Sequence, residues 1–470
     1  MMKTLGSAEM KMLKVPEAVN HAPGRSYQEV LDLDTTHDIP AALRYQSPVD
    51  LGTAPIGADR YWKPEFFQEE VEKVFLRTWQ FAIHEDAIPN PGDTHVFNLL
   101  HKSLLITRQA DGSIKAMQNV CLHRGRKLAT EGGCKKQFRC PFHAMEWNID
   151  GSFKLNPFAW DFPQIDENEF RLPEARVEVW AGFVFVNFDP DAPSLMSLIG
   201  VTAEHFEHWR LKDCHIGFHA AKLVPANWKV VIEAFMEAHH VFATHPQANP
   251  FVACEQGQYD LITDHVSRFM SATGVPGELF DGDRDEGRRL KAMLAGGSRA
   301  NMPNTKDAQA KLDPGQTARS YMAERNRKAL TAQTGYDLTK ACDADMLDGF
   351  SYEVFPNFHI WGGFPQKICY RVTPIGPETT LWEVMMVRLS PKDSPKPPPA
   401  QMRLLSDDEP WSTVMNELGY LSVLFDQDMA HMKPQQEGLK ALGDGVVQFA
   451  RYSEVTCRNL HRMIDRYIAN

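Results

Sequence analysis

Residues 121–143 read CLHRGRKLATEGGCKKQFRCPFH and carry two cysteine–histidine pairs. One residue separates Cys121 from His123, two separate Cys140 from His143, and sixteen lie between the pairs. Each pair gives a short loop one thiolate and one imidazole, and two such loops can close on one metal centre. Cys₂His₂ is a common tetrahedral zinc set. Zinc spacing, however, usually groups Cys-x-x-Cys on one side and His-x₃₋₅-His on the other. Here cysteine and histidine alternate.

That alternation suits a [2Fe–2S] cluster in which two cysteines hold one iron and two histidines the other, the Rieske arrangement. Arg124-Gly125 follows the first pair, Pro141 stiffens the second loop, and Trp147 is placed to shield the centre. Cys134 falls between the pairs as a bystander thiol. Short strand-like runs surround the motif at 94–100, 103–107, 113–119, 177–180 and 183–187. Turn dipeptides such as Asp111-Gly112 and Asp150-Gly151 punctuate them. These runs predict a small antiparallel β domain that ends near 189–193. Ahead of it, Phe66, Phe67, Val71, Val74 and Phe75 recur at helical spacing and predict one amphipathic helix over 62–79, with Pro64 near its start. Residues 1–58 read as an N-terminal arm.

Residues 233–246, EAFMEAHHVFATHP, form the second motif. Glu237 and His240 are three positions apart, which would place both on one helix face. His245 follows five residues later, as in a helix that loosens after its first ligand. Two imidazoles and one carboxylate make the facial triad of non-heme Fe(II) oxygenases, with positions left open. A buried helix with incidental histidines is the plain alternative. Phe235, Met236, His239 and Phe242 flank the motif and are candidate pocket walls. Phe269, Met270, Phe358, Ile360 and Trp361 are further candidates, and core packing explains each equally well. Isolated histidines such as His84, His101, His219 and His359 are expected to be structural.

The remaining pattern predicts a helix over 193–208, strands over 352–361, 367–373 and 380–389, and closing helices over 411–432 and 446–468. Residues 274–350 are polar and glycine-bearing, with a helix at 317–334 stopped by Gly335, and read as an insertion covering the metal site. The chain of 470 residues carries a formal net charge of −11, so it lacks the basic footprint of a nucleic-acid binder. No apolar run is long enough to span a membrane, and residues 1–20 lack the apolar core of a signal peptide. Eight cysteines are too sparse for a disulfide scaffold, which predicts a cytoplasmic protein with reduced thiols. No Gly-x-Gly-x-x-Gly follows a strand, so no nicotinamide or flavin site is expected.

Together the two motifs resemble the oxygenase component, the large or alpha subunit, of Rieske non-heme iron aromatic-ring-hydroxylating oxygenases. The resemblance spans 62 to the C-terminus. It implies an α+β chain with a Rieske [2Fe–2S] antiparallel β domain and its leading helix at 59–190. A helix-grip catalytic domain follows at 191–470, in which an antiparallel sheet wraps a long helix. It implies Cys121, His123, Cys140 and His143 as cluster ligands and His240 and His245 as ligands of a mononuclear Fe(II). Glu237 matches the acidic residue that links one subunit's cluster to the iron of the next. The family's third iron ligand is an aspartate ahead of Gln-x-Gly-Leu. Phe425-Asp-Gln-Asp428 before Gln436-Glu-Gly-Leu439 makes it Asp428, with Asp426 the alternative. This chain departs from many relatives at Ala234, where they carry Asn, at His239, where they carry Tyr, and at Lys433, where Glu is frequent.

The implied activity is mono- or dihydroxylation of an aromatic or similarly hydrophobic small molecule with O₂. Oxidative O- or N-demethylation uses the same metals. Electrons would come from NAD(P)H through a separate reductase, in some systems by way of a ferredoxin. The implied assembly is a head-to-tail homotrimer, in some members with a small beta subunit. A Rieske electron-transfer protein without oxygenase activity is the alternative of another class, but it has no use for His240, His245 and Asp428.

Overall fold

The structure is a computed structural model that describes residues 24–295, 310–365 and 367–469. Residues 1–23 of the expected arm and 296–309 of the expected cover lie outside the described residues.

The alternating runs around the first motif pair into a seven-stranded antiparallel sheet. Its order is Gln80–His84, Phe183–Asn187, Glu174–Trp180, Ile114–Gln118, Lys102–Arg108, Asp93–Leu99 and Gly133–Cys134. A three-stranded sheet, Gln137–Arg139, Glu146–Asn148 and Phe153–Leu155, carries the second cysteine–histidine loop. Trp147 is fully buried in a small core that includes Cys121 and Cys140.

An eight-stranded sheet follows in the order Gln258–Thr263, Val266–Ser271, Gly349–Val354, Phe358–Trp361, Lys367–Gly376, Thr379–Leu389, Cys214–Val224 and Arg403–Leu405. Helix Leu421–Ala441 packs across it, with Phe425 against Trp382 at 5.1 Å between ring centroids. The two large sheets meet through aromatic rings: Phe81, Phe183 and Phe185 surround Phe358 at 4.9, 5.5 and 5.2 Å. Beside them Arg371 donates to the carbonyl of Ala82 at 2.6 Å and pairs with the buried Glu383.

Several expected elements are divided. The 62–79 helix is α-helical over Pro64–Glu69 and π-helical over Glu70–Phe75. The wider turn brings Glu70 inward with Val71, Val74 and Phe75. There its carboxylate accepts from Lys229 Nζ at 2.6 Å and from Trp228 Nε1 at 3.1 Å. This leading helix is therefore built against the metal motif's own helix, and Tyr61 bonds Glu233 at 2.9 Å alongside it. Within the expected arm, Tyr27, Val30, Leu31 and Leu43 are buried in the core of the larger sheet.

The expected 193–208 helix breaks at Gly200 (φ +55°) into Leu195–Ile199 and Thr202–His208. The 411–432 helix breaks at Gly419 (φ +61°). In both cases the positive φ ends the ladder. The 352–361 run is two strands, because Pro356 has no N–H to continue one. Of 446–468, Val446–Val447 pairs with Ile56–Gly57, and the helix is Val455–Ala469. The insertion helix forms as read, Ala318–Thr334 between a Thr317 cap and Gly335 at φ +75°. One face of it is buried, with Arg319 paired to Asp348 and Arg327 to Asp343.

Candidate functional site

The two cysteine–histidine loops are tight turns of the same kind. Gly125 N donates to Cys121 O at 2.9 Å, and Ala144 N donates to Cys140 O at 3.0 Å. Both thiols are buried, and both accept backbone N–H bonds: Cys121 from His123 and Arg124, Cys140 from Phe142 and His143. Burial raises both thiols. At Cys140 the N–H groups and a bond from Cys121 outweigh it and bring the thiol below its ordinary value. The His123 and His143 rings stand 4.5 Å apart, and His123 Nδ1 is buried without a hydrogen-bond partner among the described residues.

No three of these four donors come within 4.8 Å of one another. One tetrahedral zinc, with bonds of about 2.0–2.3 Å, would draw all four closer than that. A thiol hydrogen-bonded to a thiol and an imidazole beside an imidazole fit a two-iron cluster with two cysteines on one iron and two histidines on the other. Cys134 is exposed on the edge strand, apart from the set.

The second motif departs from its expected helix. Helix Trp228–Glu233 ends before Glu237, and a short helix resumes at Val241–Thr244. Glu237 causes the break. Its Oε2 accepts from the backbone N of His240 at 3.0 Å, in place of a helical carbonyl. Its Oε1 accepts from His240 Nδ1 at 2.6 Å, and Oε2 also lies 2.9 Å from His239 Nδ1. Burial raises the Glu237 carboxyl, but the charge of His240 and the bonds from both histidines outweigh it and hold the carboxyl well below its ordinary range.

The side chains of His240, His245 and Asp428 converge, with their donor atoms within 4.8 Å of one another. His245 Nε2 is 3.0 Å and His240 Nε2 3.9 Å from Asp428 Oδ1. His245 Nδ1 bonds Gln427 Oε1 at 2.8 Å, and Gln247 Nε2 donates to the same oxygen at 2.8 Å. Acceptors at both Nδ1 atoms allow each ring to carry its proton outward, which would leave each Nε2 lone pair for a metal. Asp428 shares the buried stripe of helix Leu421–Ala441 with Phe425 and Met432. Asp426 instead accepts the backbone N–H groups of Trp411 at 2.6 Å and Ser412 at 3.0 Å. Two imidazoles and one carboxylate converging in this arrangement fit a mononuclear Fe(II). Gln427 and Gln247 were not singled out from the sequence; the only signal was the position of Gln427 beside Asp428.

Glu237, His240, His245 and Asp428 lie on the wall of a cavity of about 130 Å³. Apolar side chains dominate the lining, among them Phe235, Val241, Phe251, Phe269, Trp361 and Leu424, with no Lys or Arg among the described residues. Of the expected walls Phe235 contributes; Met236, His239 and Phe242 do not. The helix break rotates them away. Met236 is buried with its carbonyl bonded to Thr456, His239 lies on the outer side against Glu237, and Phe242 packs on the core. Phe269 and Trp361 line the cavity, whereas Met270, Phe358 and Ile360 pack elsewhere in the core. His359 is structural: burial pushes its ring down to about 3, and it bonds Ser351 Oγ at 2.6 Å. Among the described residues no helix is long and apolar enough to cross a membrane.

Two family models match the chain. A Rieske [2Fe–2S] domain matches residues 78–165, and the ring hydroxylating alpha subunit (catalytic domain) matches residues 201–470. The carnitine monooxygenase oxygenase subunit of Escherichia coli (strain K12) is 30% identical over 203 residues, 43% of this chain and 54% of that protein. The large oxygenase component of the naphthalene 1,2-dioxygenase system of Pseudomonas putida is 36% identical over 190 residues, 38% of this chain and 42% of that protein. The chain thus spans about half the length of the curated relatives it matches. Among solved structures, a quaternary ammonium Rieske monooxygenase in complex with L-carnitine superposes with a TM-score of 0.62 at 18% identity, covering 89% of this chain and 96% of that one. Naphthalene 1,2-dioxygenase from Rhodococcus sp. bound to indole gives 0.58 at 18%, covering 89% and 95%. At such identity these two likenesses show the fold. The cofactors of the family are a Rieske [2Fe–2S] cluster and a mononuclear non-heme iron. The catalytic-domain match covers more than half of the chain, which therefore belongs to the ring-hydroxylating alpha-subunit family, with a Rieske domain ahead of its catalytic domain.

Proposed function

We propose that this chain is a terminal oxygenase component that hydroxylates an aromatic or similarly hydrophobic small molecule. The observation that carries the reading is the His240–His245–Asp428 set opening on an apolar cavity, in the same chain as the paired cysteine–histidine loops. Cys121, Cys140, His123 and His143 would hold the cluster, and His240, His245 and Asp428 the iron. When bound, the cluster supplies electrons one at a time and the iron supplies O₂ activation.

The chain's own residues do the rest. Glu237 and Gln427 hold the two imidazoles by their Nδ1 atoms and fix which nitrogen faces the metal. The aromatic walls exclude water and take an apolar substrate by burial. The cavity is close in size to the roughly 150 Å³ apolar cavities that accept benzene, so it suits about one aromatic ring. With no Lys or Arg on its lining among the described residues, a carboxylated substrate such as L-carnitine is disfavoured relative to an uncharged arene.

Glu237 would also link chains in a head-to-tail trimer, accepting a hydrogen bond from a cluster histidine of the neighbouring subunit. Such heterologous contacts close into a ring. Three of its roughly four acceptor sites are taken within its own chain, which leaves about one for that contact. A separate reductase, with or without a ferredoxin, would supply electrons in a cytoplasmic setting consistent with eight free cysteines. We assign the cluster unit with its leading helix to 59–190 and the iron unit to 191–470.

Anaerobically loaded protein should be given a surrogate reductase, O₂ and a panel of simple arenes and methoxyarenes, with products identified by mass spectrometry. Hydroxylated arenes support the reading, and loss of methyl groups from the ethers alone supports a demethylase. A cluster that cycles without consuming O₂ against any compound would return the chain to the electron-carrier class.

A further inference from the structure

One stretch of the cavity wall does not match the rest. Phe269, Ser271 and Thr273 alternate along the strand Val266–Ser271 and just past it, so they share one face. All three line the cavity. Ser271 is fully buried and Thr273 is 5% exposed, yet neither hydroxyl has a hydrogen-bond partner among the described residues. Buried hydroxyls are nearly always paired, so two unpaired ones on one face of an apolar cavity call for an explanation.

Their positions are held firmly. Ser271 is fixed by pairing with Gly349 across the sheet. Thr273 is gripped from both sides of its backbone. Its N–H donates to Asp348 Oδ1 at 2.8 Å, and its carbonyl accepts from Arg319 Nη1. Asp348 and Arg319 are themselves joined by two bonds of 2.6 and 2.8 Å, and Tyr27 donates to Asp348 at 2.9 Å. Gly274, at φ +88°, lets the helix carrying Arg319 approach; a Cβ there would fall 2.8 Å from Arg319 Cβ. The Arg319–Asp348 pair is thus spent on itself and on the Thr273 backbone, and the two hydroxyls, on residues that line the cavity, are left without a partner among the described residues.

We infer that Ser271 and Thr273 form a polar anchor for the substrate, so that the favoured substrate is an uncharged aromatic ring bearing one hydrogen-bonding oxygen or nitrogen. A hydroxyl can donate and accept, so a phenol, carbonyl or ether oxygen all fit. A carboxylate does not, since Arg319 is neutralised by Asp348 and no other cation lines the wall among the described residues. The inference rests on the aromatic-cavity reading above.

Calorimetric titration of the metal-loaded protein under argon with toluene, phenol and benzoate tests it without turnover. Phenol should bind measurably tighter than benzoate. In Ser271→Ala/Thr273→Val the affinity for phenol should fall by about tenfold or more, while that for toluene stays within about twofold. Thr273→Ser keeps a hydroxyl and should keep phenol binding, and the cluster's visible spectrum reports folding in every variant. Equal effects of the double variant on toluene and phenol, or none on either, would overturn the anchor and leave the aromatic cavity standing. Benzoate binding as tightly as phenol would overturn the requirement for an uncharged ligand. No binding of either toluene or phenol would remove the aromatic-cavity reading, and the anchor with it.

Discussion

Replacing Gln427 by Leu should loosen the mononuclear iron while leaving the cluster intact. Gln427 Oε1 is the acceptor for His245 Nδ1 at 2.8 Å, and Gln247 fixes the amide by donating to the same oxygen. His245 is 4% exposed, so water is poorly placed to substitute. A buried donor left unpaired costs about 1–3 kcal/mol. That cost falls mainly on the iron-loaded state. Without metal, the imidazole proton can move to Nε2, where Asp428 Oδ1 lies 3.0 Å away and accepts it. With metal, Nε2 is occupied and the proton must stay on Nδ1. The expected loss is therefore about 5- to 150-fold in Fe(II) affinity at 1.4 kcal/mol per decade, overlapping the 10–100-fold range for lost partners of metal-bound histidines. Anaerobic titration of iron-depleted, cluster-retaining protein against a competing chelator measures it. Gln427→Glu, which keeps an acceptor, should recover most of the affinity. Fe(II) binding by Gln427→Leu within twofold of the unmodified chain would refute the reasoning, because His245 would then owe its orientation to something else.

Asp428→Ala is expected to lose the mononuclear iron and turnover and to keep the cluster spectrum. Asp426→Ala should keep both metals and lose about 1 kcal/mol of stability from the uncapped turn at Trp411, read by iron analysis and chemical denaturation. Glu237→Gln should retain both centres and reduce its cluster normally while turnover falls by about 10²-fold; near-normal turnover would remove Glu237 from the route between subunits. Lys229→Met strands the Glu70 carboxylate, fully buried at 2.6 Å from Lys229 Nζ, and should cost about 3–5 kcal/mol, largely recovered in Glu70→Leu/Lys229→Met. The purified protein should carry three irons and two acid-labile sulfides per chain, and stoichiometric zinc without labile sulfide would defeat the assignment of both centres.

The cluster motif was legible because each of its halves is local: Cys121 with His123, and Cys140 with His143, sit on one tight turn each. The triad histidines were legible for the same reason. Asp428 became legible only through its place before Gln436-Glu-Gly-Leu439, since nothing nearby distinguishes it from Asp426 until Asp426 is seen bonded to Trp411 and Ser412. The pocket walls were largely illegible. Nearness in sequence to the ligands suggested Met236, His239 and Phe242 as walls, but the side chain of Glu237 competes with the helical ladder, and where the helix ends nearness no longer says which side chains share a face. Gly200 and Gly419 were visible in the sequence, yet only their positive φ shows that they stop a helix. The burial of Glu70 could not be read locally at all, since its partner is 159 positions away.

The joining of both ends of the chain to one core sets an order for synthesis. Ile56–Gly57 waits for Val446–Val447, nearly four hundred residues later, which at about 5–20 residues per second is roughly 20–80 s on the ribosome. Through that interval the two sheets that carry the cluster loops can close, since all their strands precede residue 188. The leading helix cannot finish docking until Trp228 emerges to meet Phe75 and Lys229 to meet Glu70. The nascent chain therefore passes through a stage with a formed electron-carrying half and an open iron-binding half. In that stage a chaperone bound to 64–75 would shield the apolar surface most in need of cover.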